Sequence, residues 1–179
     1  MMPGTGPAAP AVVIPALSSE AYTLFDDWLA AQHPTGFKAD AGNTRRCFLA
    51  RYLAAHGVPV VRMLVPYVHI GTRPVTRVAC PLWATLFQET MLSRYSGRVQ
   101  AGTARRVLSD AVDMLPRRQV RLVEVLARDA GHRVTFTRDE SGRWQDPVCT
   151  NCGRPFGLDT EPIMTYRECP RSAREQPWP

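Results

Sequence analysis

Residues 100–131 read QAGTARRVLSDAVDMLPRRQVRLVEVLARDAG, and the fold class turns on this stretch. Ala104, Val107, Leu108, Ala111 and Leu115 recur at helical spacing, so a helix is expected from about Gln100 to Leu115. Pro116 then occupies the place of a first-turn proline, and a second helix is expected to start there. Val120, Val123 and Leu126 form its apolar face, with Leu122 and Ala127 at the margins. Gly131 stands where a C-terminal glycine closes a helix.

Three more amphipathic helices are expected upstream. Ser18 or Ser19 offers an N-cap, and Ala21, Leu24, Phe25, Trp28 and Leu29 follow as an apolar stripe that ends at His33-Pro34-Thr35-Gly36. Asn43 or Thr44 caps a second helix carrying Cys47, Phe48, Leu49, Tyr52 and Leu53. Pro81 opens a third, with Leu82, Trp83, Leu86, Phe87 and Met91 inward. Between residues 58 and 79 the β-branched residues are interrupted by Pro59, Pro66 and Pro74, which bars central strands and leaves edge strands or extended segments. Val134 to Thr137 alternates in polarity, Asp139-Glu140-Ser141-Gly142 is a turn, and Arg143 to Val148 returns, giving a hairpin.

The expected architecture is therefore mainly α: a bundle of about five helices with a small C-terminal β-hairpin and a zinc-ribbon-like cysteine module. Residues 1–17 hold four prolines, two glycines and no charge and read as a flexible tail. Residues 18–131 form the helical body, and residues 132–179 the hairpin, cysteine module and polar tail. No apolar run reaches the roughly 20 residues a membrane span needs. No basic region precedes the short Ala/Val/Ile stretch of the N-terminus, so a cytoplasmic location is expected.

Charge is unevenly placed. Residues 1–40 sum to −3, residues 41–138 carry sixteen arginines against five acids (+11), and residues 139–179 sum to −2. Such a block is the footprint of a polyanion-binding surface. A GC-rich codon bias is the competing source, since Lys38 is the only lysine. The candidate phosphate contacts are Arg105, Arg106, Arg117, Arg118 and Arg121, at the end of one expected helix and the start of the next. The alternative is a solvated face with internal ion pairs. Two function classes follow: a small basic DNA-binding or DNA-associated regulatory protein, or a protein-interaction adaptor that binds no nucleic acid. No Gly-rich phosphate loop, nucleophile elbow or His-x-x-x-His pair is present, so nothing in the sequence argues for an enzyme.

Two short likenesses point toward DNA. Val107 to Leu122, about sixteen residues containing Leu115-Pro116-Arg117-Arg118-Gln119, resembles the opening of region 4 of bacterial sigma factors. It stops before the helix-turn-helix, because Gly131 and a strand-turn-strand pattern follow. Phe25-x-x-Trp28-Leu29, with Thr44 and the Phe48 to Leu53 stripe, resembles the helical DNA-clamping domain of tyrosine recombinases, although no recombinase catalytic constellation follows. Each implies a helical DNA-contacting element and no more.

The most specific signal is Cys149-Thr150-Asn151-Cys152, followed by Gly153. A glycine there lets backbone amides turn toward thiolate sulfurs. After sixteen intervening residues comes Cys169. The zinc-ribbon spacing C-x₂-C-x₁₅₋₂₀-C-x₂-C would place a fourth cysteine at Ser172, and serine is a very poor ligand. A closed structural zinc site needs another donor, and His132 is the candidate. A redox pair, a disulfide and a decayed site without metal are the alternatives. Cys47 and Cys80, in apolar surroundings, read as buried thiols.

Overall fold

The computed structural model describes residues 14–71, 75–158 and 166–171. Pro74 and Ser172 lie outside them, as does most of the Pro/Ala-rich start. Pro15–Leu17 is a 3₁₀ turn with Ala16 and Leu17 buried. The elements in order are α1 (Tyr22–Ala30), β1 (Lys38–Asp40), α2 (Phe48–Ala55), β2 (Val60–Leu64), β3 (Tyr67–Ile70), β4 (Thr76–Ala79), α3 (Leu82–Arg94), β5 (Arg98–Gln100), α4 (Ala101–Asp129), β6 (Val134–Thr135) and β7 (Val148–Cys149).

The five-helix bundle is not what forms. The described residues hold four α-helices, 42% helix against 17% strand, so the chain is mixed α/β rather than mainly α. Two causes account for the difference. The first is Pro116, which does not end a helix but lies inside α4. At 100° per residue, the buried positions Ala101, Ala104, Val107, Leu108 and Ala111 centre roughly 120° away from Val123 and Ala127. This shift in phase, coinciding with a proline, imitates a helix boundary. Its origin is that the two halves of one helix pack on different partners. The upstream half faces the main core, and the downstream half faces a second, smaller one.

The second cause is short antiparallel pairing. β1 and β5 form a two-stranded ribbon in the register Lys38↔Gln100, Ala39↔Val99, Asp40↔Arg98. Three-residue strands have too little alternation to be recognised in the sequence. β2, β3 and β4 form a three-stranded sheet. Pro59 precedes β2, and Pro66 sits in the β2–β3 turn, so neither removes a ladder donor. β6 pairs with β7, Val134↔Cys149 and Thr135↔Val148, around the turn expected at Asp139 to Gly142.

The main core is aromatic. Phe25 stands 5.0 Å from both Tyr52 and Phe87 and 5.6 Å from Trp83, ring centre to ring centre. The buried Trp83 indole donates to the Ser18 carbonyl at 2.9 Å. α3 is buried nearly all round, polar Thr85, Gln88 and Thr90 included, and α4 packs beside it. Its buried Gln88 is satisfied by the Ala41 carbonyl. Leu24, expected in the α1 stripe, is instead half exposed. The amides of Ala101 and Gly102, unpaired within α4 by their place at its start, donate to the carbonyls of Phe37 and Pro34.

Pro116 is exposed. It removes one hydrogen bond, to the Val112 carbonyl, and crowds that carbonyl, a burden of about 3 kcal/mol in a helix interior. Anchorage of both flanks keeps the helix continuous. Pro116→Ala is therefore expected to stabilise the protein by about 1–3 kcal/mol, read as a higher urea midpoint at unchanged m-value. A fall in the midpoint would show that the proline supplies a bend the two cores need.

Candidate metal centre

Three pieces of chain meet at the C-terminal end of α4. Gly131, at φ +75°, turns the chain out of the helix. The His132 amide bonds back to the Ala127 carbonyl at 2.8 Å and the Gly131 amide to Arg128 at 2.9 Å. This closed helix end fixes the backbone of His132. The second piece is the knuckle at the end of β7, where the Gly153 amide donates to the Cys149 carbonyl at 2.8 Å and Gly153 takes φ +74°. The third is the Cys169 segment, tied to the helix end by a 2.8 Å bond from the Cys169 amide to the Ala130 carbonyl.

Their ligand atoms, Nδ1 or Nε2 of His132 and the sulfurs of Cys149, Cys152 and Cys169, all lie within 4.8 Å of one another. Cys149 Sγ is 4.0 Å from Cys169 Sγ, and Cys152 Sγ is 3.6 Å from His132 Nδ1. Metal–sulfur bonds of about 2.3 Å and metal–nitrogen bonds of about 2.0–2.1 Å give tetrahedral edges of about 3.8 Å and 3.5 Å. The four groups thus stand close to the corners of a coordination tetrahedron and could hold a metal ion. His132, Cys149 and Cys169 are buried, and Cys152 is partly so.

The imidazole is oriented for this. His132 Nε2 donates to the Arg167 carbonyl at 2.9 Å, which leaves the Nδ1 lone pair facing the sulfurs. A metal-ligating histidine commonly uses its other nitrogen in this way. Arg167 escaped the sequence reading because it acts through its backbone, which no side-chain pattern records. The Phe156 ring packs edge-on to His132 at 5.0 Å and against Tyr166 at 4.6 Å, shielding the site from one side.

The thiols pull against one another. Burial alone would raise Cys149, but the Cys152 amide, the His132 side chain and the Asn151 amide outweigh it and bring the thiol down to about 6. Cys169 is raised, first by burial and then by its neighbours Cys152 and Cys149. Thiolates gathered around one point repel unless a cation sits among them. Cys47 and Cys80 belong elsewhere. Both are buried in the main core, and burial with the nearby Cys47 pushes Cys80 up to about 12. All five cysteines are free thiols.

The arginines singled out in the sequence all lie on α4, yet they are not equivalent. Arg105 makes a two-pronged pair with Asp26 of α1, 2.8 Å at each contact, and Arg121 pairs with Glu124 at 2.8 Å. Arg106 reaches Thr103 at 3.3 Å. Arg117 and Arg118 are exposed and have no ion-pair partner among the described residues. The Leu115-Pro116 junction of the sigma-factor likeness is not a helix junction here, since α4 runs through it. Among the described residues no helix is long and apolar enough to cross a membrane.

No family model matches the chain, and no curated protein or solved structure matches it.

A Cβ at Gly153 would meet nothing within 4 Å, yet the residue holds φ +74°. Gly153→Ala is therefore expected to loosen the knuckle through backbone strain alone, by about 1–2 kcal/mol. Faster amide exchange at residues 149–156, with no change in α1 to α3, is the readout. An unchanged rate would show that the knuckle geometry is not what holds the sulfurs.

Proposed function

We propose that the chain is a small, basic, DNA-associated protein whose C-terminal module is closed by a structural zinc ion. The observation that carries the reading is the convergence of one imidazole and three thiols within 4.8 Å. Three sulfurs and one nitrogen in tetrahedral array are a zinc donor set. Four protein donors leave no open position for water or substrate, so the ion's role is to hold structure. Cys149, Cys152, Cys169 and His132 would be its ligands.

The module has need of such an ion. Its buried core is Val123, Ala127, Cys149, Phe156 and Cys169, so two of the five members are thiols. Chains of roughly 40 residues or fewer seldom fold on apolar burial alone. A redox role is disfavoured because Cys149 ends a two-residue strand rather than opening a helix, and the low-pKa position for such a pair is a helix N-terminus.

The DNA reading is supported by the +11 of residues 41–138 and by the continuity of α4. At 100° per residue Arg106, Arg117, Arg121 and Arg128 fall within about 60° of one another, along about 33 Å of helix. Asp110 and Glu124 share that face and pair with Arg94 and Arg121, and Arg128 pairs with Asp129, which leaves Arg106 and Arg117, with the adjacent Arg118, without an acidic partner among the described residues.

One preparation tests both parts. Protein purified without nuclease from metal-replete medium is expected to contain one zinc ion per chain and to carry nucleic acid that is lost steeply between about 50 and 200 mM salt. Chelation should make Cys149, Cys152 and Cys169 reactive to a thiol reagent while Cys47 and Cys80 stay protected in the main core. Arg117→Ala with Arg118→Ala should weaken DNA retention and change stability by less than about 0.5 kcal/mol per site. Metal-free protein whose thiol reactivity ignores chelators would rule out the zinc site. Absence of DNA binding at low salt would remove the DNA reading and leave the zinc site standing.

A further inference from the structure

A second place on the molecule gathers charge in a different way. Between the β1–β5 ribbon and the start of α2 lies a cleft of about 340 Å³, lined by Phe37, Lys38, Asp40, Arg46, Arg51 and Arg98 among others. Its wall is built by the ribbon register. Ala39 and Val99 pair and are buried in the main core. Strand alternation therefore turns Lys38 and Asp40 to the opposite side, where Asp40 lies across from Arg98. Arg46 comes from the turn that enters α2, and Arg51 from α2 itself.

Four cations thus line one concavity with a single carboxylate. Arg94, Arg105, Arg121 and Arg128 each have an acidic partner. Among the described residues Lys38, Arg46, Arg51 and Arg98 have none. Other arginines, Arg117 and Arg118 among them, also have none there, so what sets this cleft apart is that its cations converge on one concavity. Asp40 Oδ1 accepts the Gly42 amide at 3.1 Å and the carboxylate makes no ion pair with Arg98; its single charge offsets only one of the four cations. The Arg51 guanidinium is held 5.1 Å over the Phe37 ring, so at least one of the four is oriented before anything binds. Lys38 is the chain's only lysine, and a codon bias toward arginine does not account for it.

We propose that this cleft binds a phosphate dianion. Like charges converging without partners repel in the free protein, and a multiply charged anion relieves this with charge-assisted hydrogen bonds. Arginine supplies the two-pronged donor and lysine a point charge, a combination suited to phosphate oxygens. The concavity fits a phosphate group on a small substituent. A duplex backbone instead presents its phosphates along a broad convex surface, so the cleft is independent of the DNA reading for α4. The phosphate can belong to a free small molecule or to the 5′ end of a nucleic acid.

The test is calorimetric titration of the full, metal-loaded chain with inorganic pyrophosphate at 150 mM salt. Binding is expected, and Lys38→Gln with Arg98→Gln should weaken it by at least about tenfold. Both side chains are exposed, so the variant should keep the wild-type melting temperature. Arg117→Ala with Arg118→Ala removes the same two charges from α4 and should leave pyrophosphate affinity unchanged. Competition by a 5′-phosphorylated oligonucleotide but not by its dephosphorylated twin would assign the phosphate to a chain end, and competition by neither would assign it to a small molecule. No binding, binding that survives the Lys38/Arg98 changes, or equal loss in the Arg117/Arg118 variant would each overturn the proposal.

Discussion

The continuity of α4 through Pro116 is the constraint on which the rest depends. A helix of 29 residues is about 44 Å long at 1.5 Å per residue, longer than either core requires. Its first half completes the aromatic core with α1 and α3, and its last turns carry Val123 and Ala127 into the C-terminal module. Had the chain broken at Leu115, the module would hang on a flexible joint. With the helix intact, the Gly131 turn delivers His132 to a fixed place, and the Ala130 carbonyl is positioned to receive the Cys169 amide. The four candidate ligands are thus assembled on the end of a rod whose other end is buried in the main core.

The two cores differ in what stabilises them. The main one is dense with aromatic and aliphatic side chains, and its buried Trp83 and Gln88 donors are satisfied by the carbonyls of Ser18 and Ala41, distant in the chain. The Tyr52 hydroxyl and the Thr85 hydroxyl are exceptions among the described residues. The module has few apolar side chains, and its sulfurs gain little from burial alone. Its backbone bonds are arranged around the sulfurs instead: the Cys149 amide on the Arg154 carbonyl, the Thr150 amide on Arg133 and the Gly153 amide on Cys149. Electrostatics follow the same division. Burial raises the Cys47 and Cys80 thiols, whereas amides and imidazole lower that of Cys149.

What the sequence disclosed follows from how far each signal reaches. The stripes of α1, α2 and α3 are local and periodic, and helices stand where they predict them. The hairpin was readable from its turn, although its strands are only Val134–Thr135 and Val148–Cys149 with one bridge from Arg138 to Trp144, shorter than the 134–137 and 143–148 expected from alternation. Cys149, Cys152 and Cys169 announce themselves by residue type and spacing. His132 is less direct: only its position at the end of α4, just before the hairpin, recommends it. Three features were not legible. The phase shift of the apolar stripe at Pro116 has the same appearance whether a helix ends or changes partner. The β1–β5 ribbon pairs residues sixty positions apart over three-residue strands, below any pattern length. The cross-chain pair of Arg105 with Asp26, which removes one of the expected phosphate contacts, depends on how α1 lies against α4, and no local pattern encodes that.

In the function proposed above, a metal held by His132, Cys149, Cys152 and Cys169 would fold the C-terminal module onto α4 while the main core stands without it. Amide hydrogen exchange across the full chain, with metal and after its removal, tests this directly. Removal is expected to accelerate exchange through residues 132–158 and 166–171 by orders of magnitude and to leave α1, α2, α3 and the first half of α4 protected as before. Equal protection of the module with and without metal, or loss of protection through the whole chain at once, would contradict it.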